Sequence, residues 1–336
     1  DAGVQVDVLA RSAYLRYREV LGEDIGEIPE GFYPGDYLVD VAHSLVKSQG
    51  DRLLSISEEE WLPVVRDVAI AEMIELIRAD LAALGIKHQV FRSEKSLHDE
   101  DAIAQIVSEL ETRGVVYWGT LEPPKGKKPD DWEEREQYLF RSTDFGDDID
   151  RALKKSDGSW TYFAADVAYH LDKFRRGFSE MVDVWGADHK GYIKRMQAAV
   201  GATTGGKGVL DVRICNLVNL LEDGQPVRMS KRSGRFVTLR EVVDQVGRDV
   251  VRFMMITRGN EAPLDFDLKQ ALVQSRDNPV FYVQYAHARI CSVIRNASEI
   301  FGLIRDEDLA NADMTLIVDP AEIALLKTIS AFSHTD

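Results

Sequence analysis

Sulfur is scarce in this chain. Its 336 residues include two cysteines, Cys215 and Cys291, far apart in the sequence. A disulfide framework and a four-cysteine zinc site are both excluded on that count. Each cysteine lies in an apolar run, so both are expected to be buried small hydrophobes in a reducing cytoplasm. No stretch approaches the roughly 20 consecutive apolar residues that span a bilayer. Asp1 to Arg11 mix acids, small residues and a base, which is no signal peptide. With no starting Met, the chain opens in mid-pattern and reads as a piece of something longer. Basic charge is short as well: 41 Lys and Arg against 57 Asp and Glu leave a formal charge of −16. Nucleic-acid binding driven by whole-protein charge is therefore disfavoured, though a local basic track is not.

What is present suffices for a sizeable core. Hydrophobic residues make up 45% and charged residues 29%, and the length accommodates two domains. The first third reads as helices. After Pro34-Gly35-Asp36, the residues Leu38, Val41, Ala42 and Leu45 form an amphipathic stripe. Ser57 with Glu60 forms a capping box. It opens a helix with Val64, Val65, Val68, Met73, Ile77, Leu81 and Leu84 inward and Gly85 as its stop. A further helix is expected from Asp99 to Arg113. Short β-type runs follow at His88–Phe91, Val115–Trp118 and Tyr138–Arg141. The Pro- and Lys-rich segment Glu122 to Glu134 reads as a surface loop.

The middle predicts a parallel sheet. Trp160–Phe163 is a short strand before a helix, Ala164 to Lys173. Met181–Trp185 is an apolar strand, followed by a turn at Gly186-Ala187-Asp188-His189 and a helix from Gly191 to Val200. Asp211–Leu221 is a second buried strand. Strand, turn, helix, strand makes a βαβ unit, and ligands of such sheets bind beyond the carboxyl ends of strands, where Gly186–His189 lies. Asp223-Gly224 signals a hairpin. Near residues 268–279 the pattern turns all-helical, with Asn278 as cap and Pro279 at the first helical position.

Arg228-Met229-Ser230-Lys231-Arg232-Ser233-Gly234-Arg235 carries the sharpest local signal. Its small residues let a loop close over a ligand, and its cations suit the oxygens of a triphosphate. The alternative for such a run is a basic, solvent-exposed turn. Thr204-Gly205-Gly206-Lys207-Gly208 has the composition of a phosphate loop without the spacing and reads as a surface connection. Lys173, Arg175 and Arg176 read as a helix end facing its dipole.

Val227–Gly234 resembles the Lys-Met-Ser-Lys-Ser loop of class I aminoacyl-tRNA synthetases, in the form met in the arginyl-tRNA synthetases. Further likenesses run along the chain. Asp1-Ala2-Gly3-Val4-Gln5 resembles the end of that family's Asn-Asp-Ala-Gly-x-Gln motif. Asp157–Tyr162 with Asp166 resembles its Gly-x-x-x-Tyr-x-x-x-Asp motif. Val184–His189 resembles the turn beside the adenylate, and Asn278–Arg289 the start of the helical anticodon-binding domain.

The resemblance implies arginine-tRNA ligase activity. Arginine and ATP, with Mg2+ on the nucleotide, give arginyl-adenylate and pyrophosphate, and the arginyl group then passes to the 3′-terminal ribose of tRNA(Arg). Lys231 is implied as the catalytic cation on the pyrophosphate, with Gly186, His189, Met229 and Ser230 also at the ATP site. Tyr162, Asp166 and Asp188 are implied around arginine, whose planar guanidinium wants carboxylate acceptors and an aromatic wall. The fold implied is α/β, a partial Rossmann-type parallel sheet with a helical insertion over residues 1–270. The start of an all-α anticodon-binding domain follows over 271–336. A monomeric, cytoplasmic parent with no membrane partner and no protein-held metal is expected.

None of the seven histidines forms the family's His-x-Gly-His signature, so this piece alone is not expected to activate arginine. The rivals are a non-catalytic tRNA-binding or regulatory paralogue and, within the class, a cysteine enzyme. The zinc-thiolate site of the latter is not supported by two isolated cysteines.

Overall fold

The computed structural model describes residues 3–99, 101–121, 135–227, 237–275, 278–302 and 305–332. The chain divides into two compact units, Asp1–Leu272 and Val273–Asp336.

The first unit opens with helices α1 (Val4–Val20), α2 (Tyr37–Gln49) and α3 (Glu58–Ala83). The stripe read from the sequence is the buried side of α2: Leu38, Val41, Ala42 and Leu45 are fully buried. They pack with Ala10, Ala13 and Tyr17 of α1 and with Trp61 and Val65 of α3. Tyr17 donates its hydroxyl to the Gly50 carbonyl at 2.7 Å, which offsets the cost of burying a phenol. The capping box forms as expected, with the Ser57 N–H donating to the Glu60 carboxylate at 3.1 Å. The inward face of α3 is narrower than its apolar pattern, because Ile77 is exposed.

Helices α4 (Glu94–Asp99) and α5 (Ala102–Thr112) replace the single helix expected from Asp99 to Arg113. Asp101 adopts φ 53°, and a left-handed residue interrupts a right-handed helix. His88–Phe91 is not a strand; no segment pairs with it among the described residues, and it lines a shallow cavity with Arg78, Leu81 and Ile86. Strands β1 (Val116–Thr120), β2 (Glu136–Phe140) and β3 (Arg151–Ala152) form an antiparallel sheet in that order.

Helix α6 (Tyr162–Arg175), β4 (Glu180–Gly186), α7 (Ile193–Thr204) and β5 (Val209–Cys215) follow. β4 and β5 pair in parallel from Glu180 opposite Val209 to Gly186 opposite Cys215. With α7 between them they make the βαβ unit read from the sequence. Phe140, Leu153, Ala168, Met196 and Ala199 sit at the centre of the core these elements share with α5, β1 and β2. The Gly-rich run after α7 is a helix end leading into β5: Gly205 is left-handed at the cap, and the Gly208 N–H donates to Thr204 Oγ1 at 3.0 Å.

The second strand expected over Asp211–Leu221 is two strands in different sheets, β5 and β6 (Val218–Glu222). The side chain of Asn216 accepts from the Leu217 N–H and donates to the Glu261 carbonyl, which redirects the chain and leaves Leu217 exposed. β6 turns through Asp223 and Gly224, at φ 52° and 71°, into β7 (Gln225–Pro226). Two successive left-handed residues match a type I′ turn. Helices α8 (Leu239–Val246) and α9 (Arg248–Ile256) lead to β8 (Leu264–Asp267), which pairs in parallel with β6, and then to α10 (Leu268–Ala271).

In the second unit, Asn278 accepts from the Val280 N–H and caps α11 (Pro279–Phe301), with Pro279 at its start. Helices α12 (Asp306–Ala310) and α13 (Pro320–Phe332) follow. Along α11, Val280 is buried whereas Val283, Ile290 and Ile294 are exposed; sequence periodicity gives a stripe but not its cover. Cys215 and Cys291 are half-buried rather than buried. No helix among the described residues is long and apolar enough to cross a membrane.

Candidate active site

The site starts at the N-terminus of α6. Thr161 caps the helix, its Oγ1 accepting from the Ala164 N–H at 3.3 Å. Trp160 makes only an isolated bridge to Lys154. The strand expected over Trp160–Phe163 is thus a cap and the first helical turn, because Thr161 satisfies an orphan helix donor. Tyr162 opens the helix and Asp166 stands one turn later, on the same face. Tyr162 is 68% exposed. The ammonium of Lys155 lies 5.3 Å from its ring centre. Its hydroxyl stands 3.7 Å from where a Cβ on Gly3 would sit, so the backbone at Gly3 approaches this helix end.

Asp166 is the more buried partner. Burial lifts its carboxyl above the ordinary carboxylate value, and a hydrogen bond from Tyr192 to Oδ2, at 3.1 Å, partly offsets that rise. Among the described residues no ion pair neutralises it. A carboxylate partly withdrawn from water without a cation is costly, so this half-buried position is suited to a cation that comes from outside.

Tyr192 arrives from the end of β4. Beyond Gly186 the chain makes a short 3-10 turn, Ala187–Tyr192, before α7 begins at Ile193 rather than at Gly191. Gly186 has ordinary extended dihedrals; a Cβ there would fall 2.6 Å from Asp188 Oδ1, so the glycine lets that carboxylate fold back over the strand end. Asp188 and His189 are largely exposed, with Nε2 of His189 3.5 Å from Asp188 Oδ2. Tyr192 is held by rings and a cation: Trp185 at 6.0 Å, Phe163 edge-on at 6.3 Å, and the guanidinium of Arg195 at 4.6 Å. Burial and the Asp166 charge both push its phenol up from the usual tyrosine value. Nε of Arg195 is buried and has no hydrogen-bond partner.

A second polar cluster ties α6 to β4. Asp183 accepts from Lys173 Nζ at 2.6 Å and lies 2.8 Å from His170 Nε2, while Nδ1 of His170 lies 2.7 Å from the main-chain oxygen of Asp166. Burial raises the Asp183 carboxyl, but the His170 and Lys173 bonds outweigh it and hold it at about 2. The backbone of Asp166 is thereby braced on one side and its carboxylate on the other. Sequence reading missed Tyr192, His170 and Asp183. The available signal was an acid inside an otherwise apolar strand, which requires partners once buried. Lys173, read as a helix-dipole residue, pairs with Asp183. Arg175 and Arg176 meet Glu109 and Asp172.

The structure therefore brings Tyr162 and Asp166 together on one helical turn and joins Asp166, through Tyr192, to the turn that carries Gly186, Asp188 and His189. Met229, Ser230 and Lys231 of the basic loop lie outside the described residues. Among the described residues there is no group of three or more His, Cys, Asp or Glu suited to a metal.

No family model matches the chain. Its sequence is 62% identical over 333 residues to the arginine-tRNA ligase of Parvibaculum lavamentivorans, covering 99% of this chain and 57% of that protein. It is 61% identical over 336 residues to the arginine-tRNA ligase of Xanthobacter autotrophicus, again over 57% of the relative. The chain thus spans a little over half the length of the curated relatives it matches. A crystal structure from Campylobacter jejuni, assigned as an arginyl-tRNA synthetase, superposes with TM-score 0.78 at 32% identity, over 97% of this chain and 66% of that one. The Thermus thermophilus arginyl-tRNA synthetase shares the fold at TM-score 0.58 and 18% identity, over 98% of this chain and 61% of that one.

Proposed function

We propose that the chain belongs to the arginyl-tRNA synthetase family over the stretch it spans and carries the arginine-binding half of an arginine-tRNA ligase site. Asp166 receives the substrate guanidinium, Tyr162 forms an aromatic wall beside it, and Asp188 reaches the same ligand from the turn after β4. The observation that carries this reading is the half-buried Asp166 carboxylate, held by Tyr192 and in no ion pair among the described residues. A guanidinium, always charged and with five donors in a plane, meets that need and keeps its remaining donors for neighbouring acceptors.

ATP lies beyond Gly186 and His189, at the carboxyl end of parallel β4, the usual ligand position of such sheets. Lys231, with Met229 and Ser230, serves the nucleotide, its cation stabilising the charge that grows on the departing pyrophosphate. Mg2+ comes on the nucleotide's phosphates, the usual way this ion is held beside a triphosphate. The arginine carboxylate attacks the α-phosphate, pyrophosphate leaves, and the 3′-ribose of tRNA(Arg) then takes the arginyl group. Catalysis is positioning and charge stabilisation without a covalent enzyme intermediate. On this reading residues 1–270 form part of a Rossmann-type catalytic domain with a helical insertion. Residues 271–336 begin the anticodon-binding domain, and the cytoplasm is the compartment.

Calorimetric titration of the full-length protein with L-arginine and with citrulline tests the proposal. Citrulline replaces the guanidinium by a neutral ureido group of similar shape. Arginine is expected to bind and citrulline not. Asp166→Asn should weaken arginine by about thirtyfold or more, the scale of breaking a buried charge pair. Equal binding of the two ligands, or no change in the variant, overturns the assignment. Arginine-dependent pyrophosphate exchange with tRNA present reports the activity itself.

A further inference from the structure

Tyr192 stands outside every motif that led to the site, yet it makes the hydrogen bond to Asp166. It is neither a surface residue nor a filler. Its hydroxyl donates to Oδ2 of Asp166 at 3.1 Å, and its ring is clamped among Trp185, Phe163 and the guanidinium of Arg195. A tyrosine packed on its ring and bonded at its tip has one orientation. That bond restricts rotation of the Asp166 carboxylate. The main chain of Asp166 is fixed separately, by Nδ1 of His170 at 2.7 Å from its carbonyl oxygen.

We propose that Tyr192 is a positioning and specificity residue for the substrate cation: it orients the Asp166 carboxylate and, because it ends the turn Ala187–Tyr192, couples guanidinium recognition to that turn. The inference rests on the reading of Asp166 as the guanidinium acceptor. Two consequences follow from the contacts. First, movement of the strand-end turn that carries Asp188 and His189 is transmitted to Asp166 through a single phenol. Second, the phenol's donor keeps Asp166 ionised against its burial, so arginine binding should persist further into acid with Tyr192 than without it. The groups that face Asp166 are Tyr192 from the turn and, by longer-range charge, His170 on its own helix, Glu94 of α4 and Asp183 of β4. Arg195 of α7 faces Tyr192. Glu94 and Asp183 add to the rise and His170 opposes it, so the phenol is the one neutral donor acting on that carboxylate.

The test is Tyr192→Phe in the full-length protein, which keeps the ring and removes the hydroxyl. Arginine affinity is measured by calorimetry from pH 5 to 8, and KM and kcat for arginine by pyrophosphate exchange with tRNA. The expected result is about a tenfold or greater weakening of arginine, the scale of a hydrogen bond to a charged group, with kcat changed much less. The acid midpoint of binding should move to higher pH, because loss of the donor raises the Asp166 carboxyl further. A purely structural role would lower the melting temperature and leave that midpoint where it was, which overturns the proposal, as does an unchanged affinity. In a cycle with Asp166→Asn, the two losses should fall well short of adding, since the phenol acts through the carboxylate; full additivity also overturns it. Failure of the reading of Asp166 looks different: the wild-type protein then binds citrulline as well as arginine, or Asp166→Asn alone leaves arginine binding intact.

Discussion

Asp183 shows how one buried acid can hold two elements together. It sits on β4, 8% exposed, and reaches both His170 and Lys173 of α6. Its carboxyl is held at about 2, below the ordinary value near 3.9 of an unfolded chain. A folded-state value lowered in this way stabilises the protein fully above about pH 4. That stability drains as the pH falls toward 2. The shift corresponds to about 2 kcal/mol. Asp183→Asn should therefore lower the unfolding free energy by about 2 kcal/mol at pH 7, and urea titrations should show the gap to wild type closing as the pH is lowered from 5 toward 2. A gap independent of pH would mean that the carboxylate's charge is not the source. Asp166, on α6 itself, behaves oppositely: burial raises it, and among the described residues it has no ion pair. Composition alone would not separate these two acids; their partners do, His170 and Lys173 satisfying Asp183 within the fold and Tyr192 alone bonding Asp166 among the described residues.

At the scale of elements, α6 places both residues proposed to recognise arginine, Tyr162 and Asp166, and its start is set by Thr161. Thr161→Ala removes the cap and should cost about 1 kcal/mol, measured by thermal or urea unfolding, with a smaller loss of arginine affinity from fraying of the turn that bears Tyr162. The sequence made much of this legible for local reasons. The capping box at Ser57, the stripe of α2, the Asp223-Gly224 turn and the Asn278-Pro279 start each depend on residues within a few positions, and all four formed. The pairing of Tyr162 with Asp166 was also legible, though expected across a strand-to-helix turn and found along a helix. Long-range partners were not legible: nothing near Tyr192 announces Asp166, and nothing near Asn216 shows that the chain leaves one sheet there for another. Periodicity likewise cannot say what covers a face. Val182 and Val184 lie on one side of β4 and are 62% and 67% exposed, an apolar surface that invites association. The 336-residue chain on its own is expected to self-associate in light scattering, and replacing both valines by threonine should shift it toward monomer. A monodisperse unmodified chain would show that this face is harmless.

For the whole molecule, charge divides the labour. The chain carries −16, so attraction to a polyanion must come from local clusters, and the basic loop Arg228–Arg235 concentrates four cations in eight residues. A cation dedicated to the nucleotide should be separable from the cup for the guanidinium. Lys231→Ala in the full-length protein is expected to leave the calorimetric affinity for arginine unchanged in the absence of ATP. Pyrophosphate exchange should fall about a hundredfold or more, the scale of losing one preorganised group at the site of developing charge. If arginine affinity falls in parallel with exchange, Lys231 serves the cup as well, and the division between an acid site for the amino acid and a basic loop for the triphosphate does not hold.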